Sequence, residues 1–275
     1  MNRLHLLAVI GALAVIACGG PGEPRDAAPT PPPATLGNPA AEGFNEAGSD
    51  AVAMEMADRV MESMGGRAAW DSTRYLAWRF FYPPPDGRTH IWDKETGQVR
   101  YEHGDQLTLV NIHTREGSSW VAGEPIEDPE KLAKALQQGY EAWVNDSYWL
   151  LMPYKLKDSG VTLTYISEGE TEDGQAADIV QMTFADVGVT PQNKYHVWIS
   201  KDRSMVEQWA YYPNATDEEP QFVTPWTDWS RHGEIQLSGN RGQFALTEIA
   251  VLTSIPESAF HAPEPVDWSA VTIIQ

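Results

Sequence analysis

The side chains with most scope for chemistry are seven histidines and 39 Asp and Glu residues. His5 lies in an apolar N-terminal run. His90, His103, His113 and His196 lie in or beside different strand-like segments, and His232 and His261 stand near the end. Four strand histidines could meet in space and bind a metal with Asp93 or Glu102. No two of them have the short spacing that builds such a site locally, so they read better as surface residues of strands. With a carboxylate the same histidines could serve a hydrolase, which is the enzymatic alternative. The motifs that would strengthen it are missing: there is no Gly-x-Ser-x-Gly elbow, no phosphate-cradling glycine loop and no His-Glu-x-x-His pair. The acidic groups Glu168, Glu170, Glu172, Asp173 and Asp217, Glu218, Glu219 do not match a twelve-residue calcium loop and read as solvated turns. The sequence therefore predicts no catalytic residue, no metal and no cofactor. It reads as a binding protein and not as an enzyme.

Charge narrows the partners. With 19 Lys plus Arg the formal charge is −20, the opposite of what a nucleic-acid binder needs. The single cysteine, Cys18, can form neither an internal disulfide nor a multi-cysteine zinc site. Arg3 precedes an apolar run from Leu4 to Ala17, which is shorter than the roughly 20 residues that span a bilayer. A short basic start, an apolar stretch and a small-residue end read as a secretory signal. The stretch Val15-Ile16-Ala17-Cys18-Gly19 resembles the bacterial lipobox. The resemblance implies cleavage before Cys18, acylation of Cys18 and a lipid anchor in the cell envelope, on the outer membrane facing the periplasm. A lipidated cysteine is not available as a nucleophile.

The chain divides by composition. Residues 1–17 are the expected signal peptide. Residues 18–48 are rich in Pro, Ala and Gly, lack Trp and Tyr, and read as a disordered tether that includes the polyproline run Pro31-Pro32-Pro33. Residues 49–275 hold all 11 Trp and 10 Tyr and read as one domain and a monomer. Ser49 or Asp50 can cap a first helix ending at Gly65-Gly66, with Ala53, Met56, Ala57, Val60 and Met64 on one face. Strands follow near 75–82, 89–93, 98–103, 106–112 and 119–121. Asp128-Pro129 starts a second helix, with Leu132, Leu136, Tyr140, Trp143 and Val144 on one face. Asn145-Asp146-Ser147 interrupts it. The apolar segment Tyr148–Tyr154 leads into strands near 162–167, 177–184, 195–200, 205–212, 222–229, 233–237 and 244–251. The runs alternate with short turns, as antiparallel neighbours do.

This order of elements resembles the LolA/LolB-like superfamily of periplasmic lipoprotein carriers and their lipid-binding relatives. The resemblance rests on Met64-Gly65-Gly66 followed by Ala68-Ala69-Trp70 and a long strand. It rests also on the mid-chain helix, the hairpin 195–209, and a last strand running into Ile255-Pro256-Glu257. It implies a mainly β (α+β) fold, a curved antiparallel half-barrel of about eleven strands with helices covering the concave face. The space between them would take a lipid or acylated ligand. On that basis Trp143, Tyr148, Trp149, Leu150, Leu151 and Met152 are the expected ligand-binding residues, in a mobile cover over the cavity. Trp149→Ala or Leu151→Asp would then weaken uptake without unfolding the domain. The other binding alternative is a carbohydrate stacked on Trp and Tyr faces.

Overall fold

A computed structural model describes residues 37–81, 87–185 and 188–274, so Cys18 and most of the tether lie outside the described residues. The end of the expected tether is part of the folded body. Asn38 is buried and donates to Asp58 at 2.9 Å. The Lys157 ammonium bonds the Asn38 carbonyl at 2.9 Å and Asp58 at 2.8 Å. Phe44 packs on the main core.

Helix α1 (Ala51–Ser63) forms as its apolar spacing predicts and buries Ala53, Met56, Ala57, Val60 and Met61. The chain turns at Gly65, whose φ is +109°. A β-carbon there would meet the Glu234 carbonyl oxygen at 2.1 Å, so only glycine fits. A short helix, α2 (Gly66–Ser72), precedes the first series of strands: β1 (Tyr75–Phe81), β2 (Arg88–Asp93), β3 (Gln98–His103), β4 (Gln106–Asn111), β5 (Gly117–Val121) and β6 (Glu124–Pro125). Helix α3 (Pro129–Leu151) follows. The second series is β7 (Val161–Glu170), β8 (Ala176–Phe184), β9 (Lys194–Ser200), β10 (Val206–Tyr212), β11 (Phe222–Pro225), β12 (Thr227–His232), β13 (Ile235–Arg241), β14 (Phe244–Ser254) and β15 (Thr272–Ile274).

These strands form two antiparallel sheets and no closed barrel. The larger runs β12-β13-β14-β1-β2-β3-β4-β5-β6, with β15 also on β14. The smaller runs β11-β10-β9-β8-β7. The expected mainly β architecture with a helix over the sheet is what is found. Among the described residues the strands number fifteen, three more than the twelve segments expected along the chain. Two of the extra ones, β6 and β15, are two or three residues long. A third arises because the expected strand 222–229 is two strands in different sheets. Pro225 ends the pairing with β10, the Trp226 N–H bonds the Glu207 carbonyl at 2.7 Å, and Trp226 is fully buried at the crossing. A strand that changes sheets at a corner keeps its alternation, so pattern alone reads it as continuous.

Leu76, Trp78 and Phe80 of β1 point into the main core, while Ala77 faces a smaller cluster on the other side with Ile91, Leu252 and Phe260. Arg100 fastens the C-terminal segment to that outer face by donating to the carbonyls of Ala259, Ala262 and Glu264.

Helix α3 begins as expected: Asp128 accepts from the Glu130 and Lys131 N–H groups at 3.1 and 3.0 Å, and Pro129 fills the first position. It does not break at Asn145-Asp146-Ser147. It runs on to Leu151, about 34 Å in all. The polar triplet would compete with helix hydrogen bonds if its side chains turned on their own backbone. Asp146 reaches across to β2 instead. At Gly139 the helix rests so close to β4 that an added β-carbon would lie 3.1 Å from the Thr108 methyl.

Candidate functional site

The two sides of α3 do different things. On the side facing the larger sheet, Asp146 is fully buried and accepts from Arg88 Nε at 2.7 Å and Arg88 Nη2 at 2.6 Å. His90 Nε2 lies 2.7 Å from the same carboxylate, and Trp78 stacks on the imidazole at 4.8 Å. Burial alone would raise the Asp146 carboxyl. The hydrogen bonds and charges of His90 and Arg88 outweigh that and hold it below the ordinary carboxylate range. His90 is thus a core residue, which corrects the surface reading. His103 and His113 are exposed as expected, while His196 is half-buried between Gln181 at 3.2 Å and the Tyr212 hydroxyl at 3.0 Å. Among the described residues no group of three or more His, Cys, Asp or Glu is placed to hold a metal.

On its other side α3 forms one wall of a cleft of about 470 Å³. Tyr140, Val144 and Tyr148, spaced by four, line it together with Trp143 and Trp149. The opposite wall is the smaller sheet. Trp209 and Tyr211 alternate onto one face of β10, Tyr195 of β9 pairs with Tyr211, and Phe184 and Phe222 come from the ends of β8 and β11. The rings pack on one another. Tyr195 stacks on Trp209 at 4.9 Å, Tyr148 on Tyr195 at 5.5 Å, and Trp149 on Phe222 at 5.6 Å. Glu141, Asn145, Ser147, Lys155, Asp158, Ser159, Thr190 and Asn193 supply the polar part of the lining, with Lys155 and Asp158 paired at 2.8 Å.

The cleft is chemically quiet. Burial pushes the Tyr195 hydroxyl up to about 12 and the Tyr148 hydroxyl well above its ordinary value, so both stay neutral. Asn193, a buried residue of the lining, lies 3.5 Å from the Tyr195 hydroxyl and accepts from the Tyr211 hydroxyl at 3.4 Å. The Tyr148 hydroxyl and the Trp143 Nε1–H have no hydrogen-bond partner among the described residues.

Of the six expected ligand-binding residues, Trp143, Tyr148 and Trp149 line this cleft. Leu150, Leu151 and Met152 do not. They are fully buried in the main core, because the last turn of α3 packs between the sheets. Nor is the segment a mobile cover. The Trp149 carbonyl is bonded by Arg241, and the Tyr154 hydroxyl bonds the Gln236 carbonyl at 2.8 Å. Leu151→Asp would bury a charge and unfold the domain. The residues that sequence reasoning missed are Phe184, Tyr195, Trp209, Tyr211 and Phe222. The spacing of Trp209 and Tyr211 by two was a signal that they share a face, but not which face.

No known family model and no curated protein sequence matches the chain. Among solved structures it is similar to a DUF1329 family protein from Desulfovibrio piger, with 10% identity over 76% of this chain and 97% of that one, at a TM-score of 0.42. It is similar also to MucB in complex with MucA(peri), with 12% identity over 81% of this chain and 62% of that one, at a TM-score of 0.24. The chemistry of the cleft itself is what the function rests on.

Proposed function

We propose that the domain is a binding module of the cell envelope that holds an apolar small molecule, such as a lipid, in the cleft between α3 and the smaller sheet. The observation that carries this is the cleft: about 470 Å³, lined by nine aromatic side chains and three valines, with eight polar residues among them. Small-molecule sites span roughly 300–1,000 Å³ and share that mixture. Cys18 supplies the membrane anchor in this reading. The hydrolase alternative has little to work with, since its best pair, His90 and Asp146, is sealed from solvent at 0% exposure for both side chains. A general acid or base has to reach its substrate.

The test is native mass spectrometry of the full chain, extracted in mild detergent and offered an envelope lipid extract. The wild type carries an added small-molecule mass. Val144→Trp, which places an indole on a half-buried wall position without removing core, loses it while melting as the wild type does. A wild-type chain that stays empty, or a Val144→Trp chain that stays loaded, refutes the proposal.

A further inference from the structure

Resting on that reading, we infer that the cleft selects a flat ring system over a saturated acyl chain. Its aliphatic lining is confined to three valines, Val144, Val161 and Val189, while nine of the lining residues are aromatic. The rings are also ordered. Tyr195 and Trp209 lie within 16° of parallel, Trp149 and Phe222 within 25°, and Tyr211 and Phe222 within 29°. Successive centroids in these pairs stand 4.9 to 5.6 Å apart. Within these pairs the rings lie on each other and Trp209 is fully buried, so what the wall offers a ligand is the half-buried rings of Tyr148, Phe184, Tyr211 and Phe222, whose quadrupoles match another ring in offset or edge-on contact. A saturated chain gains only contact area from it and must give up rotamer freedom to lie against it.

The experiment compares two methyl ketones of equal heavy-atom count, 2-acetylnaphthalene and dodecan-2-one, by equilibrium dialysis against the full-length protein. Hydrophobicity alone favours the chain. The inference expects the ring ketone to bind at least about tenfold tighter. It expects Phe222→Leu to cut ring affinity about three- to tenfold, the value of one aromatic contact, with the chain ketone changed less than about twofold. Dodecan-2-one binding as tightly as the ring overturns the inference and leaves the binding function standing. A Phe222→Leu loss equal for both ketones also overturns it. Should Phe222→Leu not fold, the wild-type ratio decides alone. Binding of neither ketone removes the cleft reading and this inference together.

Discussion

Asp146→Ala is the sharpest test of how α3 is seated. The substitution removes a buried carboxylate that joins the helix to Arg88 and His90 of the larger sheet. Three terms set its cost. Arg88 is 27% exposed at its side chain and can turn to water, so losing its two bonds costs about 1 kcal/mol or less. His90 cannot turn out, being 0% exposed. Its Nδ1 has no partner among the described residues, and the change orphans Nε2 as well, at about 1–2 kcal/mol. The space left by the carboxylate adds about 1 kcal/mol. The total, about 3 kcal/mol, corresponds to a fall of about 6–12 °C in Tm for a domain of this size. The assay is thermal unfolding followed by circular dichroism across pH. Because the folded Asp146 carboxyl sits below its unfolded value, its contribution is fully present above about pH 4 and is lost as the pH falls through the folded value. The gap between wild type and variant is therefore constant from neutral pH to about 4 and shrinks below it. Replacing both partners, as Asp146→Leu with His90→Phe, recovers more than half of the loss, since no buried polar group is then left unpaired. A fall of less than about 3 °C at pH 7, or a gap undiminished at pH 2, would refute the argument.

Two further outcomes are expected. Arg241 is fully buried, lies 3.4 Å over the Trp226 ring, and spends its donors on the carbonyls of Trp149, Ser238 and Asn240 and the Ser238 hydroxyl, with no carboxylate partner among the described residues. Arg241→Met should cost about 2–4 kcal/mol in urea unfolding, Arg241→Lys should not rescue it, and a neutral Arg241→Met would show that those carbonyls find other partners. If Cys18 is the anchor, Cys18→Ser moves the protein from the membrane to the soluble fraction after cell breakage, and an unchanged distribution would remove the anchor from the proposed function.

Most of the fold could be read along the chain because its signals are local. The Asp128-Pro129 helix start, the glycine turn at 65 and the alternating aromatic strands each need only neighbouring residues to be recognised. The misreadings involve partners distant in sequence. Asp146 looks like a helix breaker until Arg88 and His90, more than fifty residues earlier, are placed beneath it. The segment 222–229 looks like one strand because a change of sheet leaves no mark in an alternating pattern. Residues 38–48 look like tether because their composition is poor in apolar groups, yet backbone bonds hold them. Ala41 donates to Lys157, and Asn45 to Val161.

The cleft was half legible for a geometric reason. Tyr148–Met152 reads as one apolar block, and a block suggests one role. On a helix, residues two apart point about 200° away from each other. Asp146 and Tyr148 are such a pair, and they mark the two sides of α3: one locked into the larger sheet, the other lining the cleft. Leu150 and Leu151 then fall to the core, while Trp149 reaches both, touching Phe80 and Phe222. The opposite wall could not be assigned in advance, because a strand aromatic serves core or cleft according to the sheet its strand joins. Once β9 and β10 are placed in the smaller sheet, Tyr195, Trp209 and Tyr211 face α3 together. The same division separates the experiments. Asp146→Ala loosens the helix and meets the cleft only through the exposed Asn145 amide, which donates to Asp146 at 2.9 Å, and Val144→Trp narrows the cleft without touching the ion pair. If ligand loading fell with the first as much as with the second, the two faces of α3 would be acting as one.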